Sequence, residues 1–192
     1  VSEYRAFWDC PAQDAPAKSG AWQVMDCSDI QDVLDNIGLT LIDKHVLDVG
    51  CGTGRLAQLC GHHRGFDIAP GMVKHATAAG RDATLIAGPQ DLTGATGDIV
   101  CCLSVFTHID HADAGAYLEA FTACAPLLLV DILPGTLNGG SIATTYTVVE
   151  DFRVQLHAYG WQTKAEYERF SPDGEPHRYY LCHLKEGALT WD

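Results

Sequence analysis

Short apolar runs alternate with segments of helical period along most of this chain. KHVLDVG is compact and apolar enough for a buried strand, and RLAQLCG resumes at helical spacing after a glycine cluster. RGFDI then reads as a strand, and PGMVKHATAAG as a helix whose first residue, Pro70, suits a helix start. DATLIAG and the longer DIVCCLSV are strands. DHADAGAYLEAFTAC is helical with Tyr117, Leu118 and Phe121 on one side, and PLLLVDIL is a further strand. TVVEDFRVQLHAYG sets Val149, Phe152, Leu156 and Tyr159 along one apolar stripe of a helix. WQTKAEYERF and HRYYLCHLK, on either side of SPDGEP, are two last strands.

Strands alternating with helices predict a mostly parallel sheet covered on both faces. The two final strands have no helix between them, which predicts an antiparallel hairpin at the sheet edge. The fold class is α/β: a three-layer sandwich around a seven-stranded sheet. Residues 1–44 read as a helical N-terminal extension. Pro11 and Pro16 interrupt it, and SDIQDVLDNIG is a helix with Ser28 as N-cap and Gly38 as its stop. Residues 45–192 form the main domain.

Composition narrows the function. A chain of 192 residues, 47% hydrophobic and 19% charged, suits one globular domain. The net charge of −13 and the absence of a Lys/Arg run argue against a nucleic-acid partner. No apolar stretch has the length of a membrane span and no signal-peptide core is visible, so a cytoplasmic protein without a membrane partner is expected. The eight cysteines contain no CxxC pair, and several sit in apolar runs. Reduced, mostly buried thiols are expected rather than disulfides.

The chemistry gathers at VGCGTG. A dinucleotide loop would be GxGxxG, but its third glycine would fall on Arg55, and Gly54 comes one residue early. Asp48 precedes the loop, where a pyrophosphate would meet a like charge and a cationic group would be favoured. About twenty positions on, Asp67 ends a strand, where a carboxylate can take both hydroxyls of a ribose. Ile68 beside it can cover an adenine face. An adenosine carrying a positive charge describes S-adenosylmethionine.

VLDVGCGTG, GFDIAPGM and DIVCCLSVFTHI together resemble the successive motifs of the class I S-adenosylmethionine-dependent methyltransferases, over roughly residues 45–185. The resemblance implies a Rossmann-like fold and a cofactor-binding methyltransferase domain over residues 45–192. It implies that Asp48 lies near the methionine amino group, that the backbone of Gly50, Cys51 and Gly52 wraps the amino-acid portion, and that Asp67 takes the ribose. Ser104, after the fourth strand, would line the transfer site. Two departures stand out. The family's acidic residue after the third strand is replaced by AGPQDLTG, where Gln90 or Asp91 would meet the adenine amino group. The Lys-Pro-Gly-Gly turn before the fifth strand is missing.

Other residues carry paired readings. His108 is either a general base for a hydroxyl acceptor or a histidine that fixes its loop. THIDHAD can be read as metal ligands, but ordinary capping of a helix start is the better account, and no metal is expected. His62 and His63, with Cys60, are read as solvated side chains in a loop. Arg55 has either a solvated or a ligand-facing role. Tyr4, Phe7 and Trp8 belong either to a helix docked on the core or to a lid over the cofactor, with Tyr4 and Trp8 as acceptor or lid residues. With no NPPY-type loop and no Pro-Cys motif, the acceptor reads as a small molecule, methylated at oxygen or nitrogen. The alternatives are a non-catalytic S-adenosylmethionine-binding module working with a partner, and a nicotinamide oxidoreductase, which Asp48 and Arg55 disfavour.

Overall fold

The computed structural model describes residues 27–109, 111–133, 149–170 and 176–185. Tyr4, Phe7, Trp8 and Cys10 lie outside the described residues, as do Asp110 and most of the segment between the fifth strand and the helix after it. The elements run α1 (Ser28–Ile37), β1 (His45–Val49), a 3₁₀ turn (Arg55–Leu59), β2 (His62–Asp67), α2 (Pro70–Ala78), β3 (Ala83–Leu85), a second 3₁₀ turn (Pro89–Leu92), β4 (Ile99–Cys102), α3 (His111–Cys124), β5 (Leu127–Ile132), α4 (Val149–Ala158), β6 (Trp161–Phe170) and β7 (Pro176–Leu184).

The sheet order is β3-β2-β1-β4-β5-β7-β6. The first five strands pair in parallel, and β7 lies antiparallel to both β5 and β6. The seven-stranded Rossmann-like sandwich with its edge hairpin is therefore present, with the later strand of the hairpin inserted between β5 and the edge. β1 pairs with β2 on one side and β4 on the other, so chain order reverses there. In such sheets the crevice for a ligand opens at that reversal, beyond the C-terminal strand ends.

Each face of the sheet carries its own core. Leu47, Val49, Phe66, Val100, Cys102 and Val130 point toward α3 and α4, where they meet Leu118, Phe121, Phe152 and Leu156. Val46, Ile99, Cys101, Leu129 and Leu181 point the other way, onto Ile30, Val33, Leu34 and Ile37 of α1. Alternation along each strand produces the two sets. Trp161 closes the first core, its Nε1–H donating to Leu118 O at 3.1 Å.

Two local expectations shift. Cys27, not Ser28, occupies the N-cap of α1 and makes no side-chain capping bond, while Gly38 stops the helix in a left-handed conformation as its sequence position suggests. The helix after the glycine cluster is only a five-residue 3₁₀ turn. It stops where Gly61 passes so close to the Ile42 carbonyl that any β-carbon would lie 2.1 Å from it.

Candidate functional site

The loop after β1 hangs from the end of β2. Gly50 N–H and Cys51 N–H both donate to Phe66 O, at 2.7 and 3.1 Å. Gly52 N–H donates to Asp67 Oδ2 at 2.8 Å, and Ala69 N–H to Asp67 Oδ1 at 2.8 Å. Asp67 thus ties the loop to the start of α2. A carboxylate has about four lone-pair positions, and two of Asp67's are occupied by these amides. The remaining two suit a pair of vicinal hydroxyls. Burial pushes the Asp67 carboxyl above its ordinary value of 3.8, against the lowering effect of the Ala69 and Gly52 amides.

Gly50, Gly52 and Gly54 all have positive φ. At Gly50 the space is also closed: a β-carbon would stand 2.2 Å from Val105 Cγ2. The loop after β4 is therefore packed directly against the glycine loop, leaving two backbone walls at the sheet's crevice. Gly65 is constrained similarly, since a β-carbon there would lie 2.7 Å from Cys51 Sγ. Cys51 fills space; burial, then Asp48 and Asp67, push its thiol far above the ordinary range.

Asp48, which the resemblance places near the methionine amino group, also has a partner within the protein. Its side chain shares the α1 face with Val46 and Cys101, and its Oδ2 accepts from His63 Nε2 at 3.0 Å. His63 is neither in a loop nor solvated. It lies in β2 beside Val46, and both side chains of the pair are more than nine-tenths buried. Arg55 is likewise committed to the protein, pairing with Asp29 of α1 at 3.0 Å. Cys27 Sγ donates to Arg55 O at 3.1 Å, so α1 is clamped to the turn that leaves the glycine loop.

On the adenine side, Ile68 is half-buried against the first core. Asp91 is exposed and accepts from Ala87 N–H at 2.6 Å, capping its own turn. Gln90 folds back over Gly88. Tyr117, on α3, is a residue that sequence reasoning placed only in the core. Its ring packs in the first core beside Phe121, and burial pushes its hydroxyl above the ordinary value of 10.0.

On the far side, Ser104 is exposed and holds a left-handed conformation, φ +58°. That costs a residue with a side chain on the order of 1–3 kcal/mol. Its N–H donates to Asp131 Oδ1, and Asp131 Oδ2 accepts from His177 Nδ1 at 2.9 Å. Asp131 is fully buried at the end of β5, and His177 opens β7. Neither was singled out from sequence, although an aspartate inside LLLVDI is a visible anomaly. His108 follows, with its N–H on Val105 O at 2.8 Å. Burial lowers its imidazole below 6.5, opposed by the charge of Asp131.

No helix among the described residues is long and apolar enough to cross a membrane. Residues 47–127 match the family profile described as a methyltransferase domain. No curated protein matches by sequence. Among solved structures, the chain is similar to magnesium protoporphyrin IX methyltransferase from Synechocystis PCC 6803 with bound S-adenosylhomocysteine: 21% identity, 90% of this chain and 86% of that one, TM-score 0.64. A protein of Thermotoga maritima described as a possible histamine N-methyltransferase matches at 14% identity over 95% of this chain and all (100%) of that one, with a TM-score of 0.72. An S-adenosylmethionine-dependent methyltransferase from Clostridium acetobutylicum matches at 15% identity, 89% of this chain and 95% of that one, TM-score 0.64. At these identities the structural likenesses speak to the fold alone. Residues 47–127 are thus similar to the methyltransferase-domain family, and the sheet that carries them has the Rossmann-like α/β architecture of these structures.

Proposed function

We propose that this protein moves the methyl group of S-adenosylmethionine to a small-molecule acceptor, at oxygen or nitrogen. The observation that carries the reading is the double use of Asp67, whose two oxygens hold Gly52 and Ala69 while keeping acceptor positions for a ribose. The cofactor fits the residues present: a backbone cradle that a β-carbon at Gly50 would fill, and a buried carboxylate beside it.

In this reading Asp67 takes the ribose hydroxyls, and Ile68 covers one face of the adenine. Gln90 or Asp91 meets the adenine amino group. The backbone of Gly50, Cys51 and Gly52 lies along the amino-acid portion, and Ser104 stands at the transfer position. Asp48, committed to His63, contributes its charge from behind the loop. The cofactor supplies an already activated methyl, so alignment and exclusion of water are the protein's main tasks. His108, with its imidazole held neutral by burial, takes the proton when the acceptor is a hydroxyl. A neutral amine acceptor needs no base before attack.

The net charge of −13 supports a small acceptor over a polyanion. Two structural neighbours point the same way, one a magnesium protoporphyrin IX methyltransferase and the other a possible histamine N-methyltransferase. Tyr4 and Trp8, which lie outside the described residues, are the acceptor or lid residues of this reading.

The test compares thermal stabilisation by S-adenosylhomocysteine, S-adenosylmethionine and NAD side by side, since a ligand of the native state raises the melting point by mass action. Stabilisation by the first two and not by NAD is expected. A panel of small hydroxyl and amine acceptors then reads out S-adenosylhomocysteine release. Tight binding without release on any acceptor would favour the non-catalytic binding module.

A further inference from the structure

The strongest unassigned arrangement is the hydrogen-bonded chain His177–Asp131–Ser104. Two strands and a loop contribute to it: β7 supplies the imidazole, β5 the carboxylate, and the loop after β4 the amide. Asp131 has no exposed surface, and both its oxygens are used, one by His177 Nδ1 at 2.9 Å and one by Ser104 N–H. A carboxylate only accepts, so Nδ1 of His177 carries the proton. The amide that Asp131 holds belongs to the one residue other than glycine, among those described, with positive φ. Directly after it, Val105 presses on Gly50, and Val105 O accepts the N–H of His108.

We propose that Asp131 and His177 are positioning residues: together they latch Ser104 in its left-handed turn, and through Val105 and His108 set the wall that faces the cofactor loop. His177 orients the carboxylate by fixing one oxygen, which leaves the other aimed at the Ser104 amide. Ser104 cannot leave the left-handed region without abandoning a buried acceptor. The turn in turn places Val105 against Gly50, where a glycine is required. Strands β5 and β7, which follow β4 in the sheet order, thereby set the shape of the transfer site, which accounts for this buried ionisable pair. The proposal rests on the reading of the crevice as the S-adenosylmethionine site.

The experiment uses the full chain in three forms: wild type, His177→Leu and His177→Asn. Asparagine returns an N–H donor close to where Nδ1 stood, and leucine does not. Calorimetry with S-adenosylhomocysteine should show affinity about tenfold weaker in His177→Leu and nearly restored in His177→Asn, the range expected when a buried acceptor loses its donor. NMR of the uniformly nitrogen-labelled chain should show the His108 ring and the Ser104 amide displaced in His177→Leu and returned in His177→Asn. A folded His177→Leu with wild-type affinity and an unmoved His108 would overturn the proposal. Should that variant fail to fold, the wild type still decides: adding S-adenosylhomocysteine must shift the His177 Nδ1 proton and the Ser104 amide, and silence at both would refute the latch. Failure of the wild type to bind S-adenosylhomocysteine would instead refute the cofactor assignment. In that event, the response of His108 and Ser104 to His177→Leu still tests the latch by itself.

Discussion

Asp67 accepts the N–H of Gly52 at 2.8 Å, so the residue proposed for the ribose also holds the shape of the glycine loop. Removing it withdraws both functions. Asp67→Ala is expected to weaken S-adenosylhomocysteine about a hundredfold, the equivalent of one or two charge-assisted hydrogen bonds. Calorimetry checks this, and an affinity unchanged within threefold would take Asp67 out of the ribose role.

The same residue predicts opposite responses to acid. Burial raises the Asp67 carboxyl above 3.8, so the folded chain holds that proton more tightly than the unfolded chain. Asp67's own contribution to stability therefore rises as pH falls through the raised value. Cofactor affinity falls over the same interval, because a protonated carboxyl loses acceptor positions. The difference in melting temperature between wild type and Asp67→Asn, followed with pH, should show the first trend, and S-adenosylhomocysteine titrations should show the second.

Gly50→Ala meets two penalties: a left-handed φ of +77° and a β-carbon 2.2 Å from Val105 Cγ2. Each is worth roughly 1–3 kcal/mol. Adding Val105→Ala should recover the steric part and leave the backbone part. Denaturant unfolding of the single and double variants separates them through their coupling energy. Simple additivity would mean that the two loops do not press on each other.

The fold was legible because its signals are local. Short apolar runs, Pro70 at a helix start and Gly38 at a helix stop each act within a few residues, and their alternation implies a parallel sheet. The glycine loop and the strand end at Asp67 were legible for the same reason. The pairs Asp48–His63 and Asp131–His177 were not, because they form across strands 15 and 46 positions apart in the chain. His62 and His63 look like loop residues because a polar pair at the start of a strand breaks the apolar pattern. Only register beside Val46 shows that His63 points inward.

That buried pair makes its own prediction. His63→Ala leaves the Asp48 carboxylate without its partner in a site more than nine-tenths buried, which costs roughly 3–5 kcal/mol. Replacing both residues with leucine should cost much less, since no isolated charge remains. Urea unfolding distinguishes the cases; equal losses in the single and double variants would show that Asp48 does not depend on His63.

His108→Gln should leave S-adenosylhomocysteine affinity within about twofold and cut turnover of a hydroxyl acceptor by about 10²–10⁴. With an amine acceptor the turnover loss should be small. Stability supplies a second check. Burial lowers the imidazole below 6.5, so as pH falls through 6.5 the unfolded chain takes the proton first and the fold loses stability. His108→Gln should flatten that acid limb. An unchanged limb would mean that the ring is not sheltered as its burial implies.

No disulfide joins the seven described cysteines, and all but Cys60 are buried. Burial pushes Cys60 and Cys182 to about 12, and Cys101 and Cys102 well above 9.0. At pH 8 a thiol of that kind is ionised about one part in ten thousand, and the thiolate is the reacting form. Iodoacetamide should therefore leave Cys51, Cys101, Cys102 and Cys182 unmodified in the native protein on the timescale that labels all of them in denaturant. Cys60, half-buried, should be the fastest of the seven by peptide mapping. Rapid native labelling of Cys51 would contradict its packing against Gly65 and would make the glycine loop a reactive element rather than a rigid cradle.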